Sequence, residues 1–163
     1  MSLNKRNFIN LSDIKKKDLD KILKRAVSLK KSRIKTNSFK NSLSGVNLAM
    51  IFEKPSTRTR VSFEIAIKEL GGQAIILGES KTHLARGETI ADTARVLDRY
   101  CHVFMVRTNN HNKLLEYQSF ANAPIINGLS NLSHPCQVMA DIMAYEENRG
   151  KIFKKKSNLD GRS

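Results

Sequence analysis

The chain has 163 residues, of which 40% are hydrophobic and 27% are charged, and its formal net charge is +14. This length fits a single domain with its own core, and no apolar run approaches the roughly 20 residues that cross a bilayer. Two cysteines, Cys101 and Cys136, are too few for a disulfide framework, and the polar first residues lack a signal peptide's apolar stretch, so we expect a cytoplasmic protein.

The positive charge is concentrated outside the middle of the chain. Residues 1–54 contain 14 Lys and Arg against 4 Asp and Glu, residues 151–163 contain 5 against 1, and residues 55–150 contain 10 of each. A solvated helix surface near the N-terminus explains much of the excess. Because a solvated surface needs no partner, we expect no membrane partner. We expect no nucleic acid either, since no aromatic residues are interleaved with the basic ones and no nucleic-acid-binding motif is present.

The first predicted element is an amphipathic helix over residues 13–32. Ser12 is the expected N-cap, and Asp13 favours a helix start. The apolar residues at helical spacing are Leu19, Ile22, Leu23, Ala26 and Val27. After a polar connector, the short apolar run 46–52 predicts a buried strand.

Helices and strands then alternate along the chain. The predicted helices are 61–70, 88–100, 113–121 and 135–147, and the predicted strands are 73–77, 103–106 and 124–127. This alternation predicts an α/β fold, a four-stranded parallel sheet with helices on both faces, preceded by the N-terminal helix. Since ligands bind beyond the carboxyl ends of such strands, we expect the loops after residues 52, 77, 106 and 127 to share one edge.

The segment between the first strand and the next helix contains three hydroxyls and two guanidinium groups. It reads Pro55-Ser56-Thr57-Arg58-Thr59-Arg60. Unpaired N–H groups at a helix start favour an anion, and arginine offers bidentate hydrogen bonds to phosphate. The glycines of a Walker loop are missing. The alternative is a capped helix with solvated arginines.

This motif, with the Val61-Ser62-Phe63-Glu64 that follows, resembles the carbamoyl-phosphate loop of the aspartate and ornithine carbamoyltransferases. The resemblance implies that four residues hold the phosphate, with Arg58 as the main charge partner and Arg60 in a structural role. Those four are Ser56, Thr57, Arg58 and Thr59.

A second motif that resembles the family is Asn127-Gly128-Leu129 followed by His134-Pro135-Cys136-Gln137. The resemblance implies that His134 and Gln137 contact the carbamoyl group: an imidazole can donate to its carbonyl oxygen, and an amide can accept from its NH₂ group. A histidine with a structural role is the alternative. Cys136 is not expected to be a nucleophile, because no base accompanies it.

Two further positions follow from the resemblance. Arg107, at the end of a predicted strand, is expected to bridge the phosphate and the carbonyl, the alternative being a solvated strand end. In these trimeric enzymes the loop 78–87 reaches the neighbouring subunit's site, which points to His83, not Lys81. A surface histidine is the alternative there.

The resemblance is strongest to the ornithine branch of the family, on Phe52-Glu53-Lys54-Pro55 and on Asp92-Thr93-Ala94-Arg95-Val96-Leu97. It implies transfer of the carbamoyl group from carbamoyl phosphate to L-ornithine, giving L-citrulline and phosphate. Arg58, Arg107 and His134 are the expected catalytic residues. The resemblance implies no metal or organic cofactor, and a homotrimer.

Residues 1–150 are expected to form the carbamoyl-phosphate domain and residues 151–163 a basic linker. The ornithine-binding half that the family places next is missing, so we expect an incomplete chain that is inactive or weakly active alone. Three alternatives stay open: a carbamoyltransferase for another amine or amino acid, a non-catalytic carbamoyl-phosphate-binding or trimerising fragment, and a basic nucleic-acid-binding protein.

Overall fold

The computed structural model describes residues 6–36, 41–78 and 87–152. Four strands form one parallel sheet in the order β2-β1-β3-β4. The strands are β1 (Asn47–Phe52), β2 (Gln73–Gly78), β3 (Val103–Arg107) and β4 (Ile125–Leu129). β1 and β3 are almost completely buried, as their apolar sequences predict for a parallel sheet that is covered on both faces.

The helices are α1 (Lys16–Thr36), α2 (Thr57–Glu69), α3 (Ile90–Leu97), α4 (His111–Phe120) and α5 (Pro135–Arg149). α3 and α4 cover one face of the sheet, where Ala94, Leu114 and Tyr117 pack against the strands. α2 packs Ile67 on the other face. α1 contacts α5 and joins α2 through an ion pair between Arg33 and Glu69, so these three helices share that face. The predicted α/β architecture is therefore confirmed.

The predicted start of the first helix was wrong. Leu11–Asp13 forms a 3-10 turn, and α1 begins at Lys16. The side chain of Asp13 is engaged within that turn, because it accepts hydrogen bonds from Asn10 Nδ2 and Ser12 Oγ. Ser12 is therefore not the N-cap. Ile22, expected on the packed side of α1, is 42% exposed.

The start of α2 matters most for function. The apolar pattern predicted a helix from residue 61, but α2 begins at Thr57, directly after Ser56 in an extended conformation. The basic motif thus forms the first helical turn instead of a preceding loop. α3 is shorter than predicted, since Thr89 caps its start by accepting from Asp92 N–H, and residues 98–100 form a turn.

All four strands run in the same direction, so their carboxyl ends share one edge as predicted. The chain passes from β1 to β2 on one side and then crosses to β3 on the other, which places the topological switch point between β1 and β3. Within the described ranges, no helix is long and apolar enough to cross a membrane.

Candidate functional site

A cavity of about 410 Å³ lies at the carboxyl edge of the sheet. Its walls come from the ends of β3 and β4 and from the starts of α2 and α5. The lining residues are Ser56, Thr57, Arg58, Thr59, Arg107, Leu129, His134 and Gln137. Every one of them except Leu129 was predicted as a site residue from the sequence. Three separate stretches of the chain therefore meet in one place.

The start of α2 directs backbone donors at this cavity. The first helical amide to find a backbone partner is Arg60 N–H, which donates to Ser56 O at 3.0 Å. Among the described residues, no side chain caps the turn, and Ser56 itself makes no capping hydrogen bond. The amides of residues 57–59 are thus free to meet an anion, and the helix dipole favours one there.

Arg107, the last residue of β3, connects two walls of the cavity. Its Nη1 donates to Thr59 Oγ1 at 2.8 Å and, more weakly, to Gly128 O at 3.4 Å. Thr59 is buried in the first turn of α2, and Gly128 belongs to β4. The guanidinium group is therefore held between the helix start and the neighbouring strand with most of its donors left over.

The cavity has an excess of positive charge. Across the described ranges, no carboxylate lies within ion-pair distance of Arg58 or Arg107. Arg60, two residues from Arg58, instead pairs with Glu64 at 3.6 Å along the helix surface. Arg58 and Arg60 therefore have different surroundings. Two uncompensated guanidinium groups beside a helix N-terminus favour an anionic ligand.

His134 occupies the N-cap position of α5, with Pro135 as the first helical residue. Burial lowers the pKa of His134 below its ordinary value, and the positive charge of Arg107 lowers it further, while Asp141 acts in the opposite direction. The imidazole is therefore neutral at pH 7, with one N–H donor. Its Nδ1 is buried and has no hydrogen-bond partner in the described part of the chain.

Gln137 lies in the first turn of α5. Its Nε2 donates to Asp141 Oδ1 at 2.9 Å. Because an ionised carboxylate can only accept, this contact fixes which end of the amide faces Asp141. The Oε1 atom of Gln137 remains as an acceptor for an N–H group in the cavity.

Leu129 is the cavity residue that the sequence analysis missed. The pairing of β3 with β4 shifts at this point, since Val106 is opposite Asn127 and Arg107 is opposite Leu129. Leu129 has φ +145°, a strained backbone conformation for a side chain of its size, and its N–H donates to Asn127 Oδ1. The Asn-Gly pair at 127–128 was the available signal, because it is typical of an irregular strand end.

Gly128 is tightly packed within this irregularity. A Cβ atom there would lie 2.3 Å from Met105 Sδ, and Met105 is fully buried. Asn127, also fully buried, donates through Nδ2 to Ile9 O and to Ser133. The bulged end of β4 is thus fixed from both sides, and Leu129 with it.

The loop from β4 to His134 is anchored by α4. His111 Nδ1 lies 2.8 Å from Ser130 Oγ, and His111 N–H donates to Asn131 Oδ1. Ser130 Oγ also accepts from the backbone N–H of Ser133. This anchoring supports the approach of His134 to the cavity, although His111 itself does not line it.

Cys136 is protected from reaction. Burial raises the pKa of its thiol to about 11, and its Sγ contacts Asn127 O at 3.6 Å. A thiol of this kind is protonated at neutral pH, which agrees with the expectation that Cys136 is not a nucleophile.

Two predicted features cannot be placed. His83 and Lys81 lie outside the described residues, as do residues 153–163 of the predicted linker.

A second cavity of about 900 Å³ shares Ser56 and Thr57 with the first and extends past Arg60 to Gly78. No group of three potential metal-ligating side chains occurs in the described ranges.

Comparison with known proteins agrees with this geometry. The family described as aspartate/ornithine carbamoyltransferase, carbamoyl-P binding domain, matches residues 6–147. An ornithine carbamoyltransferase of Rhodopseudomonas palustris (strain BisA53) is 50% identical over 157 residues, which covers 93% of this chain and 50% of the relative. The chain thus spans about half the length of the curated relatives it matches.

Solved structures give the same result. The ornithine carbamoyltransferase from Pyrococcus furiosus superposes with a TM-score of 0.84 at 46% identity, covering 92% of this chain and 48% of that one. A more distant match is an acetylornithine transcarbamylase complexed with acetylcitrulline, with a TM-score of 0.79 at 29% identity. It covers 90% of this chain and 48% of that one. The fold, the family match and the identity to these relatives agree: the chain belongs to the carbamoyl-phosphate-binding domain family of the aspartate/ornithine carbamoyltransferases.

Proposed function

We propose that this chain supplies the carbamoyl-phosphate site of an ornithine carbamoyltransferase. The reaction is transfer of the carbamoyl group from carbamoyl phosphate to L-ornithine, giving L-citrulline and phosphate. The observation that carries the proposal is the cavity in which Arg58 and Arg107, both without carboxylate partners in the described ranges, meet the free amides of α2. Half of the relatives' length is not spanned, and the acceptor amino acid is proposed to need that part.

The phosphate is proposed to lie against the first turn of α2. Ser56, Thr57 and Thr59 offer hydroxyl and amide donors, and Arg58 offers a charged fork that matches two phosphate oxygens. These donors come from consecutive residues of one rigid helix start, so their relative positions are fixed before the ligand arrives. Because the donors are already held in place, less conformational entropy is lost when the ligand binds.

The carbamoyl group is proposed to lie between Arg107 and α5. The neutral imidazole of His134 has a single N–H to donate to the carbonyl oxygen, and Gln137 Oε1 can accept from the carbamoyl NH₂. Arg107 lies between Thr59 and Gly128, within reach of both ends of the ligand. These three contacts distinguish carbamoyl phosphate from inorganic phosphate.

In the proposed reaction the neutral δ-amine of ornithine attacks the carbonyl carbon. A C–N bond forms and the carbonyl oxygen becomes an oxyanion. The carbonyl then re-forms as the C–O bond to phosphate breaks, and the departing phosphate takes the proton that the amine loses. Arg58, Arg107 and His134 are the proposed catalytic residues, because their donors face the oxygens on which negative charge develops. Fixing both substrates in attack geometry contributes much of the remaining acceleration.

The wider setting is proposed on the same basis. We place the carbamoyl-phosphate domain within residues 1–150 of a cytoplasmic homotrimer of arginine metabolism, with His83 donated to the adjacent subunit's site. We propose no cofactor. The likeness to acetylornithine transcarbamylase supports a second candidate, a carbamoyltransferase with a different acceptor, because the same half of the fold serves another amino acid there.

Calorimetric titration tests the site. Carbamoyl phosphate is expected to bind the chain at least about 10-fold more tightly than inorganic phosphate, since each well-placed hydrogen bond to the carbamoyl group contributes about 0.5–1.5 kcal/mol. Gln137→Leu should reduce this preference while leaving the affinity for inorganic phosphate unchanged. Equal binding of the two ligands by the parent chain would contradict the assignment of a carbamoyl subsite.

Citrulline formation by the chain is a separate test. We expect little or none from the isolated chain, because the acceptor is proposed to bind elsewhere. Rapid citrulline formation would show that these 163 residues contain a complete site. Carbamoyl phosphate binding without turnover is the behaviour of a binding module.

A further inference from the structure

Glu53, the first residue after β1, does not line the carbamoyl-phosphate cavity, yet its carboxylate is held by two donors from another part of the chain. Lys113 Nζ lies 2.7 Å from Glu53 Oε1, and Thr108 Oγ1 donates to Glu53 Oε2. The Glu53 side chain is only 24% exposed. A carboxylate that is largely removed from water and doubly bonded has a defined position.

The backbone of Glu53 is bonded to the segment that carries Arg107. Glu53 N–H donates to Arg107 O at 3.0 Å, and Thr108 N–H donates to Leu129 O, also at 3.0 Å. Thr108 is 2% exposed, and its hydroxyl accepts from Asn110 N–H as well. The peptide group that follows Arg107 is thus fixed from both of its neighbours in the sheet.

We propose that Glu53 is a positioning residue for Arg107, an inference that rests on the proposed function. The guanidinium of Arg107 reaches Thr59 and Gly128 from a backbone whose carbonyl is held by Glu53. With the carboxylate bonded to Thr108 and Lys113, the loop after β1 and the loop after β3 move as one unit. Because Thr108 also bonds Leu129, the unit includes the bulged end of β4.

The contrast with Lys30 and Glu147 separates a positioning role from general stabilisation. That pair has the same 2.7 Å separation and similar exposure, but it joins α1 to α5 on the surface, away from the cavity. Lys30→Met and Lys113→Met therefore remove equivalent ion pairs in different places. Only Lys113→Met is expected to change the affinity for carbamoyl phosphate.

The test is a set of carbamoyl phosphate titrations. Glu53→Gln should weaken binding by about 10-fold and Lys113→Met by about 3-fold, while Lys30→Met should change it by less than about 2-fold. In an Arg107→Lys background, Glu53→Gln should have an effect below about 2-fold, because its influence passes through Arg107. The same loss in both backgrounds would overturn the proposal, since a merely structural effect would not depend on Arg107.

Amide hydrogen exchange tests the proposal without a ligand. Glu53→Gln and Lys113→Met should each speed exchange of the Glu53 and Thr108 amides several-fold relative to Lys30→Met. Unchanged exchange at both amides would overturn the proposal even if carbamoyl phosphate binds. A parent chain that fails to bind, with exchange behaving as expected, would reject the proposed function of the site and not the coupling of the two loops.

Discussion

The surface of α1 and the proposed carbamoyl-phosphate cavity are both rich in positive charge, but they differ in how that charge is arranged. On α1, Lys21 pairs with Asp18, Lys30 with Glu147 and Arg33 with Glu69. In the described cavity walls, Arg58 and Arg107 have no carboxylate partner, and the free amides of α2 add to the positive potential. The other cations of α1, such as Lys17, Lys24 and Lys31, are exposed to solvent. Convergence of guanidinium groups and free amides in one cavity, and not the net charge of +14, thus marks the proposed anion site.

The largest effect is expected at Cys136, which lies next to the cavity in the first turn of α5 but does not line it. Alkylation of Cys136 at pH 8 should be about 100-fold slower than that of the same thiol in the urea-unfolded chain, because burial raises its pKa from 9.0 to about 11. Mass spectrometry after timed quenching measures Cys136 separately from Cys101. Equal rates in the folded and the unfolded chain would show that folding does not shield the Cys136 thiol from water and reagent.

Packing at the bulge of β4 should not accommodate an added methyl group without a loss of stability. Gly128→Ala is expected to destabilise the chain by about 1–3 kcal/mol, because the new methyl group meets the fully buried Met105. Gly78→Ala is the matched control, since a Cβ atom there meets no atom of the described residues within 4 Å. Urea denaturation of both variants makes the comparison. A similar loss of stability in the two would contradict the packing argument.

The pH dependence of stability tests the neutral state of His134. A histidine whose pKa is lowered by folding binds fewer protons in the native than in the unfolded state, so stability is lost as pH falls below about 6.5. His134→Asn should make the stability curve flatter between pH 7 and 5. Denaturation at several pH values measures this slope. A variant with the parent's slope would place the titrating group elsewhere.

The smallest effects are expected on α1. Replacement of Lys21 or Lys24 by Gln should change stability by no more than about 0.5 kcal/mol, because exposed charges contribute little. Carbamoyl phosphate affinity should also stay the same apart from weak long-range screening. A clear loss of affinity would show that the field of α1 reaches the cavity and would weaken the distinction between the two regions.

The resemblance to the family supplied the candidate site residues, and parallel α/β topology predicted that the loops carrying them would meet. Once β1, β3 and β4 were identified, Arg107 and the residues near His134 had to lie at the same edge as the basic motif. The start of α2 was predicted four residues too late, because the spacing of apolar residues does not reveal a first helical turn that is made of polar residues. The N-cap assignment to Ser12 failed because the side chain of Asp13 bonds within its own turn.

The residues that escaped prediction depend on three-dimensional contacts. Leu129 enters the cavity through a bulge that exists only in the pairing of β4 with β3. Glu53 and Lys113 are 60 positions apart, and His111 bonds Ser130 across 19 positions. No local pattern marks such pairs. Predictions from the sequence therefore named residues that line the cavity and missed those that hold them in place.

The most direct test of the central claim compares two arginines that lie two residues apart. Carbamoyl phosphate is titrated into the parent chain, Arg58→Ala and Arg60→Ala under identical salt conditions. The loss of a charged, bidentate partner should weaken binding by about 100-fold in Arg58→Ala, whereas Arg60→Ala, which removes only the surface pair with Glu64, should bind like the parent. Equal losses of affinity in both variants would mean that carbamoyl phosphate is attracted by the overall positive charge. The proposal of a specific phosphate site at Arg58 would then be wrong.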